Sequence, residues 1–386
     1  MIGEYSMFAL MTPDIATLIE RIMSFEQRIR AQWHALPGSA RRHYLHRMVI
    51  DEIQATNEIE QVRSTRKEIS AAIKAVRAER PIEENKRFTE MVRLYLNIVD
   101  DDAKGPQTLD DIRGLYDLVT AGEVGDEDAP DGLRFRQGPV SIESGTTTIH
   151  TGLLPASAID DALTLMLSQS RDDSIPQLIR AVIAHFIFEY THPFYDGNGR
   201  TARYLLAVDL SKVLAPYASL ALSATIADNK DRYYRAFADA ENPLNRGDLT
   251  PYLIDMLEVI AEAQSRLLLD LSERRDKLDA IAAHIQVLVE DEQLPPKVGL
   301  DRASEPPVDP KDIGTILFIL GQAHLFDTHP AVTVNTLANA VGQSSQYVRP
   351  RLQRLDDAGT IETVTRKPLR FRLTKRGTSL LDLAEQ

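Results

Sequence analysis

Residues 192–203, His-Pro-Phe-Tyr-Asp-Gly-Asn-Gly-Arg-Thr-Ala-Arg, gather the groups that nucleotide phosphate chemistry needs. Gly197 and Gly199 let backbone N–H groups approach an anion closely, and Asn198 adds a side-chain donor. A helix restarting near Thr201 turns its positive N-terminal end toward negative charge. Arg200 and Arg203 share a face of that helix and offer forked charge to outer phosphates. Asp196 has the chemistry to hold Mg²⁺ on diphosphate oxygens, because Mg²⁺ takes one or two carboxylates alongside phosphate and water. His192, at the entrance, is the natural general base, since an unperturbed imidazole titrates near neutrality. Taken piece by piece, the same residues also make an ordinary glycine turn followed by exposed arginines.

The string as a whole resembles the signature of the Fic (Fic/Doc) family, His-Pro-Phe-x-(Asp/Glu)-Gly-Asn-Gly-Arg-x-x-Arg, and all nine fixed residues are present. The likeness extends over roughly residues 40–265, with His185 and Phe188 leading into the loop and Thr191 standing where an apolar residue is more usual. The stretch Val140 to Leu154 is similar to the family's flap, a hairpin that presents the target's hydroxyl residue through strand-like pairing. Ile226 to Tyr234 resembles the segment whose aromatic rings flank adenine. For Tyr233 and Tyr234, a helix that buries one ring and leaves the other at the surface is an equally good explanation. The run Glu-Asn-Pro-Leu-Asn-Arg-Gly-Asp at 241–248 is longer than the family's connection, which leaves Asn242 and Asn245 unassigned.

The resemblance implies a mainly α fold, with a Fic-type helical core and a β-hairpin flap. It also implies transfer of AMP from ATP, with Mg²⁺, to a Ser, Thr or Tyr hydroxyl of a target protein. Gly199 stands where the family's phosphorylating branch carries lysine, which disfavours kinase chemistry. Residues 56–60, Thr-Asn-Glu-Ile-Glu, resemble the family's inhibitory helix, Ser/Thr-x-x-x-Glu followed by Gly or Asn, although position 61 is Gln. Thr56 and Glu60 lie four apart on one helix face. The resemblance implies that Glu60 pairs with Arg203 and displaces the γ-phosphate grip, or that it positions water for the reverse reaction, removal of AMP.

A second candidate site lies near the C-terminus. Residues 311–386 carry ten Lys or Arg against seven acids, and 345–376 carry nine against three. Helices near 334–341 and 345–358, joined at Gly342-Gln343-Ser344, read as a helix-turn-helix, and strands near 361–365 and 369–373 read as a wing. The module resembles a small winged helix-turn-helix (α+β) domain of bacterial regulators. Gln346, Arg349 and Gln353 recur at helical spacing toward base edges, while Arg366 and Lys367 at the wing tip suit phosphate. Such folds also dock proteins, and an ATP-sensing DNA-binding regulator is the reading from a different class. Pro350 inside the second helix implies a kink or a later start.

The elements that must hold these residues are mostly helical. Ile15, Leu18, Ile19, Ile22, Phe25 and Ile29 recur at spacings of three and four, Pro37-Gly38-Ser39 ends that helix, and a second follows from about Ala40 to Ile59. A third begins near Ser64 or Thr65. Asp100 to Pro130 is acidic and turn-rich, and the alternation around Val140 and Ile142 followed by Ser144-Gly145 reads as a hairpin. Pro251 to about Glu292 runs without Pro or Gly for some 40 residues, roughly 60 Å as one helix. That helix is compatible with self-pairing in a homodimer and equally with packing inside one chain.

Residues 293–310, with five prolines, read as a linker. The expected domains are an N-terminal helical region over 1–100, a catalytic core over 101–268, a helix and linker over 269–310, and the C-terminal module over 311–386. Composition frames this reading: 386 residues, 43% hydrophobic and 26% charged, suit two or three soluble domains. Without cysteine there is no disulfide, thiolate nucleophile or cysteine-bound zinc. The net charge of −13 confines nucleic-acid binding to a local basic patch. No membrane-spanning run or leader pattern is present, so a cytoplasmic, membrane-free protein is expected. His43 and His46, spaced HxxH among Arg41, Arg42 and Arg47, read as a basic helix face rather than a metal site.

Overall fold

The computed structural model describes residues 2, 4–77, 87–125, 127–144, 147–291, 294, 309–327 and 330–383, with the backbone alone for 143–144 and 147–149. The fold is mainly helical with small antiparallel sheets. The chain divides into two compact units, one of Met1–Ala31 with Met48–Leu268 and one of Gln32–Arg47 with Leu269–Gln386. Among the described residues no helix is long and apolar enough to cross a membrane.

The first unit takes in most of α1 (Pro13–Ala35) and the second half of α2 (Gly38–Ile59), then α3 (Arg66–Arg77), α4 (Thr89–Val99) and α5 (Leu109–Val119). α5 starts inside the acidic, turn-rich segment because Thr108 and Asp111 form a reciprocal capping box. A hairpin of β1 (Ser141–Ser144) and β2 (Thr147–Thr151) follows, antiparallel, with Ile142 opposite His150. The remaining helices are α6 (Ala156–Gln169), α7 (Gln177–Thr191), α8 (Asn198–Ser211), α9 (Pro216–Ser219), α10 (Leu222–Asp228), α11 (Lys230–Glu241) and the first part of α12 (Thr250–Glu290).

α7 and α8 are buried along most of their length, α7 as expected of a largely apolar helix and α8 with Arg200, Thr201 and Arg203 among its buried side chains. Around them pack Ile112 and Tyr116 of α5 and Ile159, Leu163 and Met166 of α6. Phe194, in the loop between α7 and α8, stacks on Tyr116 with ring centroids 3.6 Å apart. The chemistry-bearing loop is therefore pinned to the core by its own third residue.

The second unit closes around the second part of α12. Ile281, Ile285 and Leu288 pack with Ile313, Ile316 and Leu317 of α13 (Pro310–Phe326), so this stretch of the long helix has its apolar face covered within the chain. Next come β3 (Val332–Thr333), α14 (Val334–Val341), α15 (Ser345–Asp357), β4 (Ile361–Arg366), β5 (Leu369–Leu373) and α16 (Lys375–Leu380), with sheet order β3-β5-β4. Thr333 caps α14, Gly342 ends it at φ 72°, and Ser344 caps α15. α15 starts ahead of Pro350 and runs through it, so the later start allowed by the sequence does not occur. Arg351 of α15 is buried and donates to Asp312 at 3.1 Å. In the same unit His43 pairs with Asp327 at 3.0 Å, and the described residues hold no group of three side chains suited to a metal. The Pro-rich stretch 293–310 lies almost wholly outside the described residues.

Candidate functional site

α7 ends at His192, whose backbone is left-handed at φ 48°, ψ 63°. That conformation costs a non-glycine residue about 1–3 kcal/mol unless its surroundings enforce it. Arg136, fully buried, supplies the enforcement: Nε donates to the His192 carbonyl at 2.8 Å, Nη2 to Leu153 O at 3.0 Å, and Nη1 to Gly138 O at 2.7 Å. One guanidinium thus ties the imidazole-bearing corner to both ends of the hairpin. The Leu153 N–H also donates to Thr191 O at 3.1 Å. No local pattern in the sequence marks Arg136, because all of its acceptors are backbone carbonyls.

The loop then closes on itself. Asn198 donates through Nδ2 to Phe194 O at 2.8 Å and accepts the Phe194 N–H at 3.0 Å. One of the two Nδ2 hydrogens is thus used on loop closure, and Asn198 still lines the cleft described below. Gly197 sits at φ 78°, and a Cβ there would overlap Thr120, so only glycine fits. α8 begins at Asn198, earlier than the expected Thr201, which places the helix start within the glycine pair itself.

The two arginines of the loop face different partners. Arg200 forms a buried pair with Glu123, which also receives Arg87 Nε at 3.0 Å, and lies 3.5 Å from Asp196. In this structure Arg200 is engaged by these carboxylates, beside the Asp196–Gly197 edge of the loop. Arg203 donates through Nε to Thr56 Oγ1 at 2.8 Å, and through Nη2 to Thr56 O at 3.1 Å and Glu60 Oε1 at 2.7 Å. Burial opposes the Arg203 charge, yet the Glu60 carboxylate holds its pKa above the ordinary arginine value.

The end of α2 is fixed in place. Glu52, buried, accepts both the Ser223 hydroxyl and the Ser223 N–H, and burial pushes its carboxyl up to about 7. Lys230 Nζ donates to Glu58 O at 3.0 Å. Gln61 then turns the chain at φ 60°, the left-handed conformation that explains the Gly or Asn usual at this position of the inhibitory pattern.

These elements surround a cleft of about 600 Å³. Its wall joins Glu60, His192, Asp196, the Gly197–Gly199 turn and Arg203 with Tyr233 and Tyr234. Tyr233 is buried, its hydroxyl 2.8 Å from His185 Nε2, while Tyr234 is 44% exposed. α11 thus buries one ring and frees the other, and both reach the cleft. Asn242 caps a short turn through Leu244 N at 3.0 Å, Asn245 donates to Asp248 O, and neither lines the cleft.

His192 is 8% exposed, and burial, reinforced by His150, lowers its pKa to about 3. Burial therefore keeps the imidazole neutral at pH 7, with a lone pair free, while making it a weaker base than in water. Burial also raises Glu189 to about 8. Two further residues of the wall escaped the sequence reading. His150 of β2 and Glu241 of α11 pair at 2.6 Å, and the His150 ring lies 5.5 Å from that of His192.

Asp196, with a side chain 49% exposed, accepts the Gly197 N–H at 2.6 Å. Among the described residues of the wall the acids Glu60, Glu189, Asp196, Asp231 and Glu241 face a single base, Arg203. A polyphosphate entering this cleft needs a cation with it. With no three-ligand group present, Asp196 suits Mg²⁺ only where phosphate and water complete the shell.

In the second unit Gln346, Arg349 and Gln353 lie on the exposed face of α15. Arg366 ends β4 and Lys367 follows it, both exposed. Gln353 donates to Asp357 at 2.8 Å, and Arg372 is paired with Glu362.

Comparison with known proteins agrees with this geometry. Residues 106–210 match the Fic/DOC family model. Over 121 residues the chain is 31% identical to protein adenylyltransferase fic-1 of Caenorhabditis briggsae and 32% identical to that of Caenorhabditis elegans. Each match takes in 29% of this chain and only 22% of the relative's length. A Fic family protein from Desulfovibrio desulfuricans G20, known from its crystal structure, shares the fold with a TM-score of 0.54 at 21% identity, over 96% of this chain and 98% of that one. With the His192–Arg203 loop at its centre, the chain carries a Fic/DOC family domain over residues 106–210.

Proposed function

We propose that the chain transfers AMP from ATP to a Ser, Thr or Tyr hydroxyl of a target protein and is held back by Glu60. The observation that carries this reading is a neutral, buried His192 facing the same cleft as the Gly197–Gly199 helix start and Arg203. In the proposed step His192 accepts the hydroxyl proton, the oxygen bonds to the α-phosphorus, and the bond to the departing pyrophosphate breaks. The N–H groups at the start of α8 carry the developing phosphate charge, and Arg203 grips the γ-phosphate once Glu60 leaves it. Arg200, through Glu123 and Asp196, braces the loop. Mg²⁺, held by Asp196 together with the nucleotide, would neutralise the diphosphate. Tyr234 and Tyr233 suit the purine.

Incubation of the chain and its Glu60→Gly variant with Mg²⁺, ATP and candidate protein targets, followed by intact-mass analysis, tests the proposal. A gain of one AMP on the protein or a target, larger for the variant, is expected. No gain with either protein overturns it. Glu60 also faces the cleft with a side chain 27% exposed, which supports a second reading in which it orients water to remove AMP. Loss of label from AMP-modified protein that requires Glu60 would favour that direction. For the second unit we propose a winged helix whose exposed α15 face and β4–β5 turn meet duplex DNA, on the strength of the exposed Arg349, Arg366 and Lys367.

A further inference from the structure

The Glu241–His150 pair has features that the phosphate chemistry leaves unused. Glu241 accepts from His150 Nδ1 through Oε2 at 2.6 Å, which assigns the Nδ1 proton and leaves Nε2 as the ring atom free to meet a ligand. His150 is 8% exposed, and its Nε2 is buried without any partner among the described residues. A buried polar nitrogen left unpaired is costly, and here it lies in the wall of a cleft large enough for a nucleotide. Glu241 uses one carboxylate oxygen for His150, so Oε1 remains available as a second acceptor.

The position of the pair narrows what it can bind. The glycine turn and Arg203 form the part of the wall suited to phosphates. The wall also holds Ile142 of the hairpin and the face of α11 carrying Asp231, Tyr234, Ala238 and Glu241, at helical spacing. With the phosphates on the first part, the second receives the sugar and base. An imidazole nitrogen on the hairpin and a carboxylate oxygen on α11, from adjoining residues, match a group that presents two neighbouring hydroxyls, each able to donate or accept. Carboxylates are established partners of ribose hydroxyls in other nucleotide sites.

We infer that Glu241 and His150 together bind the 2′,3′-diol of the nucleotide's ribose and select ribonucleotides over deoxyribonucleotides. This rests on the nucleotide-site reading proposed above. The pair also joins the hairpin to α11, so a bound ribose would draw on both elements at once. His192, Tyr190 and Glu189 adjoin the pair, and none of them supplies the missing partner of Nε2.

The experiment is calorimetric binding of ADP and of 2′,3′-dideoxy-ADP with Mg²⁺ to the full chain, to His150→Phe and to Glu241→Leu. ADP is chosen because it needs no γ-phosphate grip at Arg203. The parent is expected to bind ADP at least about tenfold more tightly than the dideoxy form, since a site built to bond a hydroxyl rejects the analogue lacking it. In either variant the ratio should fall to within about threefold, with dideoxy-ADP affinity unchanged. That unchanged affinity also shows the variants are folded. Equal binding of the two nucleotides by the parent overturns the inference while leaving AMP transfer standing, as does retention of the parent ratio by both variants. Binding of neither nucleotide by the parent overturns both readings.

Discussion

Gly199 and Glu60 compete for one volume: a Cβ on Gly199 would overlap Oε1 of Glu60, the atom that receives Arg203 Nη2 at 2.7 Å. The absence of a side chain at position 199 is thus what lets the carboxylate reach the arginine.

Replacing Gly199 by Ala should therefore destabilise the chain in a way that depends on Glu60. In a double-mutant cycle with Glu60→Gly the two effects should be non-additive by about 1–3 kcal/mol, because both break the same contact. Denaturant unfolding of the four proteins measures it. Additive losses would mean that the two residues do not share space.

His192→Ala should lower AMP transfer by about 10² to 10⁴ while leaving ADP affinity within a few-fold, because the imidazole acts on the incoming hydroxyl. Arg136→Lys should produce part of the same loss, since an ammonium cannot serve the three spread carbonyls that the guanidinium reaches. Initial rates at saturating ATP, beside binding data, separate the two roles. An Arg136→Lys variant with parental rates would place the clamp outside catalysis.

Stability should depend on pH in two opposed ways. Burial lowers His185 and His192 to about 3 from 6.5, so the stability they contribute is present above pH 6.5 and lost as pH falls toward 3. Burial raises Glu52 to about 7 and Glu189 to about 8 from 4.5, so their contribution is present below pH 4.5 and lost as pH rises through 7 to 8. These four groups together favour the folded chain most between about pH 4.5 and 6.5. Glu52→Gln, which keeps an acceptor for Ser223, should raise the unfolding free energy at pH 8 relative to pH 5 by about 1–3 kcal/mol over the parent. Identical pH profiles for variant and parent would contradict the assignment.

For the second unit, alanine at Arg366 and Lys367 should weaken binding of the full chain to every duplex and reduce the salt dependence by about two phosphate contacts. Alanine at Gln346, Arg349 and Gln353 should change sequence preference instead. Mobility shifts over a salt series read both. Failure of the parent to shift any duplex at low salt would leave this face as a protein-docking surface.

The loop residues were legible because their spacing is local: Gly197, Asn198, Gly199 and Arg203 sit within a seven-residue stretch, and Thr56 and Glu60 lie four apart. β4 and β5 were legible too, β5 through its alternating Leu369, Phe371 and Leu373 and β4 through its β-branched Ile361, Thr363, Val364 and Thr365. β3, of two residues, is too short to show a period, and it forms only because Val332 and Thr333 find Phe371 and Arg370 across the sheet. Glu123, Arg136, His150 and Glu241 were missed for the same reason. Apart from the Arg136 contact with Gly138, each acquires its role from partners 17 to 91 positions away, too far apart for a local window to pair them. Asn198 was legible as a loop residue, but its closure of the loop on Phe194 was not, because that depends on how the backbone turns.

The anchoring of α2 sets the scale on which the proposed restraint by Glu60 can be released. Glu52 holds one side of the helix through Ser223, and Lys230 grips the carbonyl of Glu58, two residues short of the carboxylate on Arg203. Withdrawing the whole helix would mean breaking a buried carboxylate network, whereas freeing Glu60 needs only the last turn to unwind at Gln61, already in a conformation glutamine dislikes. Any activating partner thus has a lever of about one turn to pull, and a site that opens by fraying can respond to weak, transient encounters without the protein ever leaving its folded state.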